Sequence, residues 1–158
     1  MKIKYYKYFD YKLIGITLIV TLLIRMFLFY IITVPTDSMQ PTISNNAHYL
    51  VSKVFKKLNR GDIVVFTHEG DSIKYVKRIV GLPGEKLKLE KGTLYIDGVE
   101  IKEDYIKYPG GVEDFEVIIP KNEYVLLGDN RADSKDSRYW DKPTLSIDDI
   151  EGKVLFVK

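Results

Sequence analysis

Ser38 is the residue of this sequence best placed for nucleophilic chemistry. It lies in a loop between Pro35 and Pro41, whose rings fix the backbone φ angle, and two further hydroxyls, Thr36 and Thr42, lie close to it in sequence. A serine in this setting can attack a carbonyl carbon if a neighbouring base removes its proton. Serine is also common in turns, so a purely structural role in capping the loop is the alternative.

Lys77 is the candidate base. The chain has no cysteine and only two histidines, both in unremarkable settings, and lysine is a poor base at its ordinary pKa of about 10.4 unless burial disfavours the ammonium. A strand over IKYVKRIV (73–80) would place Lys77 on one face with Ile73, Tyr75 and Ile79. This apolar face predicts desolvation of the amine. The alternative is a half-solvated face from which the amine reaches water.

A third polar cluster, GDNRADSKDSRYW, occupies residues 128–140 and follows a predicted strand. Its small hydroxyls and its alternating acidic and basic side chains can form a local hydrogen-bond network. A solvated, charged loop is the alternative reading of the same composition.

An apolar run over 13–33 precedes the hydroxyl-rich loop. Its first twenty residues would form a helix about 30 Å long, which matches the thickness of a hydrocarbon core. Its single charge, Arg25, is expected to snorkel to the interface or to face a partner. A cleaved signal peptide would have a shorter apolar segment and small residues at the cleavage site that follows it. Here the apolar run is long, and Pro35 and Asp37 follow it. We therefore expect an uncleaved, single transmembrane anchor.

The charges on either side of this run predict its orientation. Residues 1–12 contain four lysines and one aspartate, so we expect them in the cytoplasm and residues 34–158 outside the cell membrane. Five of the 24 basic residues and one of the 22 acidic residues precede residue 34, which leaves a net charge of −2 on the outer part. That balance argues against nucleic-acid binding.

The outer part is predicted to be mainly β. Short segments with period-two alternation are the strand candidates; they are 48–55, 62–67, 73–80, 86–90, 93–102, 124–129 and 153–158. Asp97 and Gly98 indicate a hairpin turn, the segment 81–85 indicates another turn, and 145–152 suggests one helical turn. The segment 103–122 is the least regular. The expected fold is one transmembrane helix, an all-β domain over 34–158 and a small peripheral β lobe over about 85–122.

Four stretches together resemble the type I signal peptidases, the membrane-anchored Ser/Lys proteases of family S26 that remove signal peptides. DSMQPTI (37–43) resembles their serine box, GDIVVF (61–66) a strand box, YVKRIVGLPGE (75–85) the lysine box and GDNRADSKDSRYW (128–140) the last box. All four follow the family's order after an N-terminal anchor. The single anchor and the short lobe are similar to the enzymes of Gram-positive bacteria.

The resemblance implies a catalytic pair. Ser38 matches the nucleophile and Lys77 the general base. Thr36 matches the position whose hydroxyl joins the Ser38 backbone N–H in an oxyanion hole. The endoplasmic-reticulum type would have a histidine in the place of Lys77. The lysine at position 77 therefore argues against that type.

The resemblance also implies supporting residues. Ser134 matches a hydroxyl that positions the lysine amine, and Asp136 and Arg138 match an acidic–basic pair. Arg78 matches the basic neighbour of the lysine, and strand alternation predicts that it points away from Lys77. Asp37 departs from the family pattern, in which a small residue is common at this position.

The expected function is removal of signal peptides from exported preproteins at the bilayer surface, with signal peptides and lipid as partners. No cofactor or metal is expected, because the chain lacks thiolates, a His-Glu-x-x-His motif and a P-loop. One competing hypothesis is an anchored, non-catalytic β module that binds exported or pilin-like proteins. Another is a self-cleaving repressor-type Ser/Lys protease, but that would carry a DNA-binding domain in the place of the anchor.

Overall fold

The computed structural model describes residues 11–68, 72–110 and 114–155. These residues form one apolar helix, followed by antiparallel strands and three short 3-10 turns. Helix α1 is Tyr11–Leu28. Strands β1 to β11 are, in chain order, Phe29–Thr33, His48–Ser52, Ile63–Thr67, Lys74–Gly81, Lys86–Glu90, Thr93–Ile96, Val99–Ile101, Phe115–Ile118, Glu123–Leu127, Leu145–Ser146 and Ile150–Val154.

The predicted anchor over 13–33 consists of two elements. Helix α1 ends at Leu28 and is long and apolar enough to cross a membrane. The residues that follow form β1, which pairs with β2 from Phe29–Ser52 to Thr33–His48. Aromatic and β-branched side chains in FYIIT favour the strand once β2 offers a partner. Arg25 consequently lies in the last turn of the helix, closer to the C-terminal end than it would be in a helix that continued to residue 33.

A seven-stranded antiparallel sheet has the strand order β1-β2-β11-β3-β4-β9-β10 and positions the hydroxyl-rich loop. This loop connects β1 to β2 and inserts Val34, Met39 and Ile43 into the core beside Val65 of β3 and Val76 of β4. Met39 and Ile43 have no exposed surface. Burying these two side chains contributes several kcal/mol, so Ser38 is carried by a fixed part of the chain.

A second, four-stranded antiparallel sheet has the order β7-β6-β5-β8 and forms a peripheral lobe. The predicted turn at Asp97 and Gly98 joins β6 to β7, and both residues have a positive φ. Its leucine and isoleucine side chains pack in one core with Val80 of β4 and with Val125 and Leu127 of β9, so the lobe shares this core with the larger sheet. Strand β8 lies inside the segment 103–122 that appeared irregular, and it forms because its alternating side chains pair with β5.

Three other predicted elements differ at their ends. The strand predicted over 48–55 stops at Ser52, whose hydroxyl binds both the N–H and the carbonyl of Val54 and turns the chain. The helical turn predicted over 145–152 is a 3-10 turn, Ile147–Asp149, between β10 and β11. Strand β11 therefore begins earlier than predicted, and residues 156–158 lie outside the described part.

Candidate active site

Ser38 and Lys77 are in direct contact. The Lys77 Nζ donates a hydrogen bond of 2.6 Å to the Ser38 Oγ. Ser38 is 7% exposed and Lys77 is 4% exposed. On β4, Lys77 lies opposite the buried Val64 of β3. Ile79 shares this face and is fully buried, as strand alternation predicted. The predicted face differs at its start, because Ile73 precedes β4 and is 58% exposed, and Tyr75 is only partly buried.

Burial lowers the pKa of Lys77 to about 8. The apolar surroundings are the largest cause because they disfavour the charged ammonium. The carboxylate of Asp136 raises this pKa, and the guanidinium of Arg138 lowers it. A substantial fraction of Lys77 is consequently neutral slightly above neutral pH, and a neutral amine can accept the proton of the Ser38 hydroxyl.

Thr36 places a second hydroxyl beside that of Ser38, with its Oγ1 3.3 Å from the Ser38 Oγ. Asp37 interacts with other residues instead: its Oδ1 accepts hydrogen bonds from the side-chain amides of Gln40 and Asn45. The acidic side chain at position 37, where the family usually has a small residue, therefore stabilises the loop between β1 and β2.

Ser134, Asp136 and Arg138 form a buried network. The Arg138 guanidinium grips the Asp136 carboxylate with two hydrogen bonds, of 2.8 Å from Nε and 3.0 Å from Nη2. The Ser134 hydroxyl donates to the Asp136 Oδ2 at 2.7 Å. The sequence predicted a contact between Ser134 and the Lys77 amine, but among the described residues Ser134 bonds through its hydroxyl to Asp136. Since its proton is committed there, its lone pairs remain available as acceptors.

Arg78 points away from Lys77, as predicted, and forms a second ion pair that the sequence did not reveal. Its Nε and Nη2 bind the Asp129 carboxylate at 2.8 and 2.6 Å, and its Nη1 donates to the Gly61 carbonyl at 2.7 Å. The hydroxyl of Thr42, from the loop that carries Ser38, donates to the same carboxylate. Asp129 thus connects β4 to the loop that carries Ser38.

Two more residues fix the position of Ser38. The backbone N–H of Asn130 donates to the Ser38 carbonyl at 3.0 Å, and its side chain donates to the Asp37 carbonyl at 3.1 Å. At Gly128, an added Cβ would lie 2.2 Å from the Ser134 Oγ and 2.5 Å from the Ser38 carbonyl oxygen. Sequence reasoning missed both roles; the only available signal was their place at the start of the polar cluster, directly after β9.

A cleft with a volume of about 500 Å³ opens onto this pair. It is lined by residues 33–38, which begin at the end of β1, and by residues 73–77 of β4 and its approach. Asp133 and Lys135 line it as well. The Ser38 hydroxyl, the Lys77 amine and the Thr36 hydroxyl thus meet at one open cleft, an arrangement that could support nucleophilic attack on a bound chain.

Comparison with known proteins identifies the family. The family model for signal peptidase, peptidase S26, matches residues 9–158. Signal peptidase I P of Bacillus subtilis subsp. natto is 38% identical over 159 residues, covering 92% of this chain and 85% of that protein. Signal peptidase I S of Bacillus subtilis strain 168 is 40% identical over 141 residues, covering 80% and 76%.

A solved structure agrees with these matches. The crystal structure of a signal peptidase I from Enterococcus faecalis V583 superposes with a TM-score of 0.57 at 33% sequence identity, covering 65% of this chain and all of that one. The mainly β fold after one apolar helix, the resemblance to type I signal peptidases and the assignment as a serine endopeptidase are thereby confirmed. The chain belongs to the signal peptidase family, peptidase S26.

Proposed function

We propose that this chain is a membrane-anchored endopeptidase that removes N-terminal signal peptides from exported preproteins with a Ser38–Lys77 dyad. One observation carries the proposal: the Lys77 amine is buried, has its pKa lowered to about 8 and lies 2.6 Å from the Ser38 hydroxyl. Burying an amine costs free energy, so a purely structural role would not account for a lysine at this position. The family and the curated relatives named signal peptidase I support the substrate class.

The reaction follows from this geometry. Neutral Lys77 takes the proton from Ser38 as its Oγ attacks the scissile carbonyl carbon. The oxyanion accepts hydrogen bonds from the Ser38 backbone N–H and the Thr36 hydroxyl. Lys77 then gives its proton to the leaving amine, which departs as the new N-terminus of the mature protein.

The second half-reaction regenerates the enzyme. The signal peptide remains joined to Ser38 as an acyl-enzyme, and Lys77 is neutral again. Lys77 removes a proton from a water molecule that attacks the ester carbonyl. It then returns this proton to the Ser38 Oγ as the ester C–O bond breaks, and the signal peptide leaves with a new carboxylate. The buried pair of Asp136 and Arg138 fixes the charges that surround the amine during both halves.

The substrate binds as an extended strand in the cleft. Residues 33–38 and 73–77 line this cleft, and main-chain hydrogen bonds to its lining give affinity without dependence on sequence. Shallow apolar pockets then select small side chains near the scissile bond.

Helix α1 holds the site at the membrane that delivers the substrate. Its 18 residues span about 27 Å, with residues 1–12 in the cytoplasm and residues 34–158 outside. Confining enzyme and signal peptide to one bilayer raises their effective concentration without any new contact.

The decisive experiment incubates the detergent-solubilised full chain with a preprotein and sequences the N-terminus of the product. We expect one product that begins after the signal peptide, and none with Ser38→Ala. Binding of the preprotein without cleavage by the wild type would support the non-catalytic β module instead.

A further inference from the structure

Residues 102–110, which follow β7, lie against the loop that follows β9. Tyr108 forms an isolated parallel bridge with Asn130. Gly110 packs so tightly that an added Cβ would lie 2.6 Å from the Ala132 Cβ. The lobe is therefore attached to the loop that contains Asp129 and Ser134.

A buried ion pair fixes this contact. The Arg131 Nη2 lies 2.6 Å from the Glu103 Oε1, and the two side chains are 3% and 6% exposed. The Tyr105 hydroxyl donates to the same carboxylate oxygen. Arg131 in turn donates from Nε to the Gly128 carbonyl at 3.1 Å. Glu103 thus holds Arg131, and Arg131 holds the backbone directly beside Ser134 and Ser38.

Tyr105 makes a second connection to the site. The Arg78 guanidinium lies over its ring, 4.0 Å from the ring centroid, while Arg78 also grips Asp129 with two hydrogen bonds. Burial raises the pKa of Tyr105, and the charge of Glu103 raises it further. The phenol consequently remains protonated and acts as a constant donor to Glu103.

Both connections end at residues 128–131, which position the nucleophile. Asn130 holds the carbonyls of Asp37 and Ser38, and Asp129 holds Thr42. A movement of this loop relative to β4 would change the separation between Ser38 and Lys77, and a misplacement of about 1 Å can cost about 100-fold in rate.

We infer that Glu103 and Tyr105 are positioning residues through which the peripheral lobe fixes the relative placement of Ser38 and Lys77. The lobe then contributes to the geometry of the site, although it lies at the periphery of the domain. The inference rests on the proposed function, since it assigns these two residues to that same reaction. They act through Arg131 and Arg78 and do not themselves touch the reacting atoms.

The test compares Glu103→Ala, Glu103→Gln and Tyr105→Phe with a matched control, Asp104→Ala. Asp104 lies between the two positioning residues and also forms an ion pair, with Lys102, but the side chains of that pair are 85% and 76% exposed. Each full-length variant is assayed with a signal-peptide substrate for kcat and KM across pH, and its melting temperature is measured.

We expect Glu103→Ala to lower kcat by about 10- to 100-fold with KM changed less than about threefold. Its pH limb should move above that of the wild type, because a loosened loop admits water to Lys77. Glu103→Gln should recover part of the rate, since its amide oxygen can still accept from Tyr105 and Arg131. Tyr105→Phe should give a smaller loss, and Asp104→Ala should match the wild type.

A purely structural role predicts a different result: lower melting temperatures with wild-type kcat and an unmoved pH limb in the folded fraction, which would overturn the inference. If Glu103→Ala does not fold, Glu103→Gln and Tyr105→Phe decide, and wild-type kcat in both would also overturn it. If the wild type fails to cleave preproteins, the proposed function fails. The positioning role is then decided by an NMR titration of Lys77, which needs no substrate. A Lys77 pKa that is higher in Glu103→Ala than in the wild type supports the inference, and an unchanged pKa overturns it.

Discussion

The Lys77 amine and the Ser38 hydroxyl share a hydrogen bond of 2.6 Å, and each residue is more than nine-tenths shielded from solvent. A protonated amine can only donate in this bond, whereas a neutral amine can accept the hydroxyl proton. The protonation state of one buried group therefore decides whether the pair can react.

The first prediction concerns pH. Because catalysis requires neutral Lys77 and burial lowers its pKa to about 8, kcat/KM should rise with pH through a limb near 8 and level off about one unit above it. The measurement is kcat/KM against pH with a fixed peptide. A limb near the ordinary lysine value would contradict the assignment of Lys77 as the base.

The second prediction concerns stability. The pKa of Lys77 is lowered on folding, so below about pH 8 the folded protein carries a buried charge that the unfolded chain carries in water. Lys77→Met should remove this penalty and stabilise the protein at pH 6–7 by up to about 3 kcal/mol, at about 1.4 kcal/mol for each unit of pKa shift.

This gain has a defined dependence on pH. It should shrink as pH rises from about 8 to 10.5 and vanish above that range, because both states of the wild type are then neutral. Denaturant unfolding of both proteins across pH measures it. A variant less stable than the wild type at pH 6 would show that the amine stabilises the fold through its contacts.

The third prediction concerns the oxyanion. Thr36→Val keeps the shape of the side chain and removes a hydroxyl that lies 3.3 Å from the Ser38 Oγ. We expect kcat to fall about 100-fold, or about 3 kcal/mol, with little change in KM. Thr67→Val is the matched control, since its hydroxyl faces Glu151 in β11. A higher KM at constant kcat would place the Thr36 hydroxyl in ground-state binding instead.

The fourth prediction concerns close packing at Gly128. Gly128→Ala should abolish measurable turnover and destabilise the protein, since the new methyl group would lie 2.5 Å from the Ser38 carbonyl oxygen and 2.2 Å from the Ser134 Oγ. Gly98→Ala is the control: it meets nothing within 4 Å but has a φ of +83°, so it should cost about 1 kcal/mol of stability and leave kcat unchanged. Melting temperature and kcat together separate the two effects.

The pairing of Ser38 with Lys77 was predictable because strand alternation and a proline-bounded loop are local patterns. The sequence placed Lys77 on an apolar face and Arg78 on the other, and the structure has both side chains there. The end of α1 was not predictable, because the apolar residues FYII suit a lipid-facing helix and a strand equally, and only pairing with β2 distinguishes them.

The supporting contacts were hidden for a different reason. Thr42 and Asp129 lie 87 residues apart, and Glu103 and Arg131 lie 28 residues apart, so no local pattern joins them. The resemblance to a family supplied Ser134, Asp136 and Arg138 but left Asp129 and Glu103 unnoticed. Long-range ion pairs of this kind become visible only when the sheets are assembled.

The junction between α1 and β1 has a consequence for substrate choice. Strand β1 starts at the residue after the helix ends, and its five residues extend at most about 17 Å. Because no residue intervenes, a fixed length of chain separates the proposed anchor from Ser38. Under the proposed function, the enzyme would therefore select substrates by distance as well as by sequence: a preprotein whose scissile bond emerges too near the lipid or too far from it would miss Ser38.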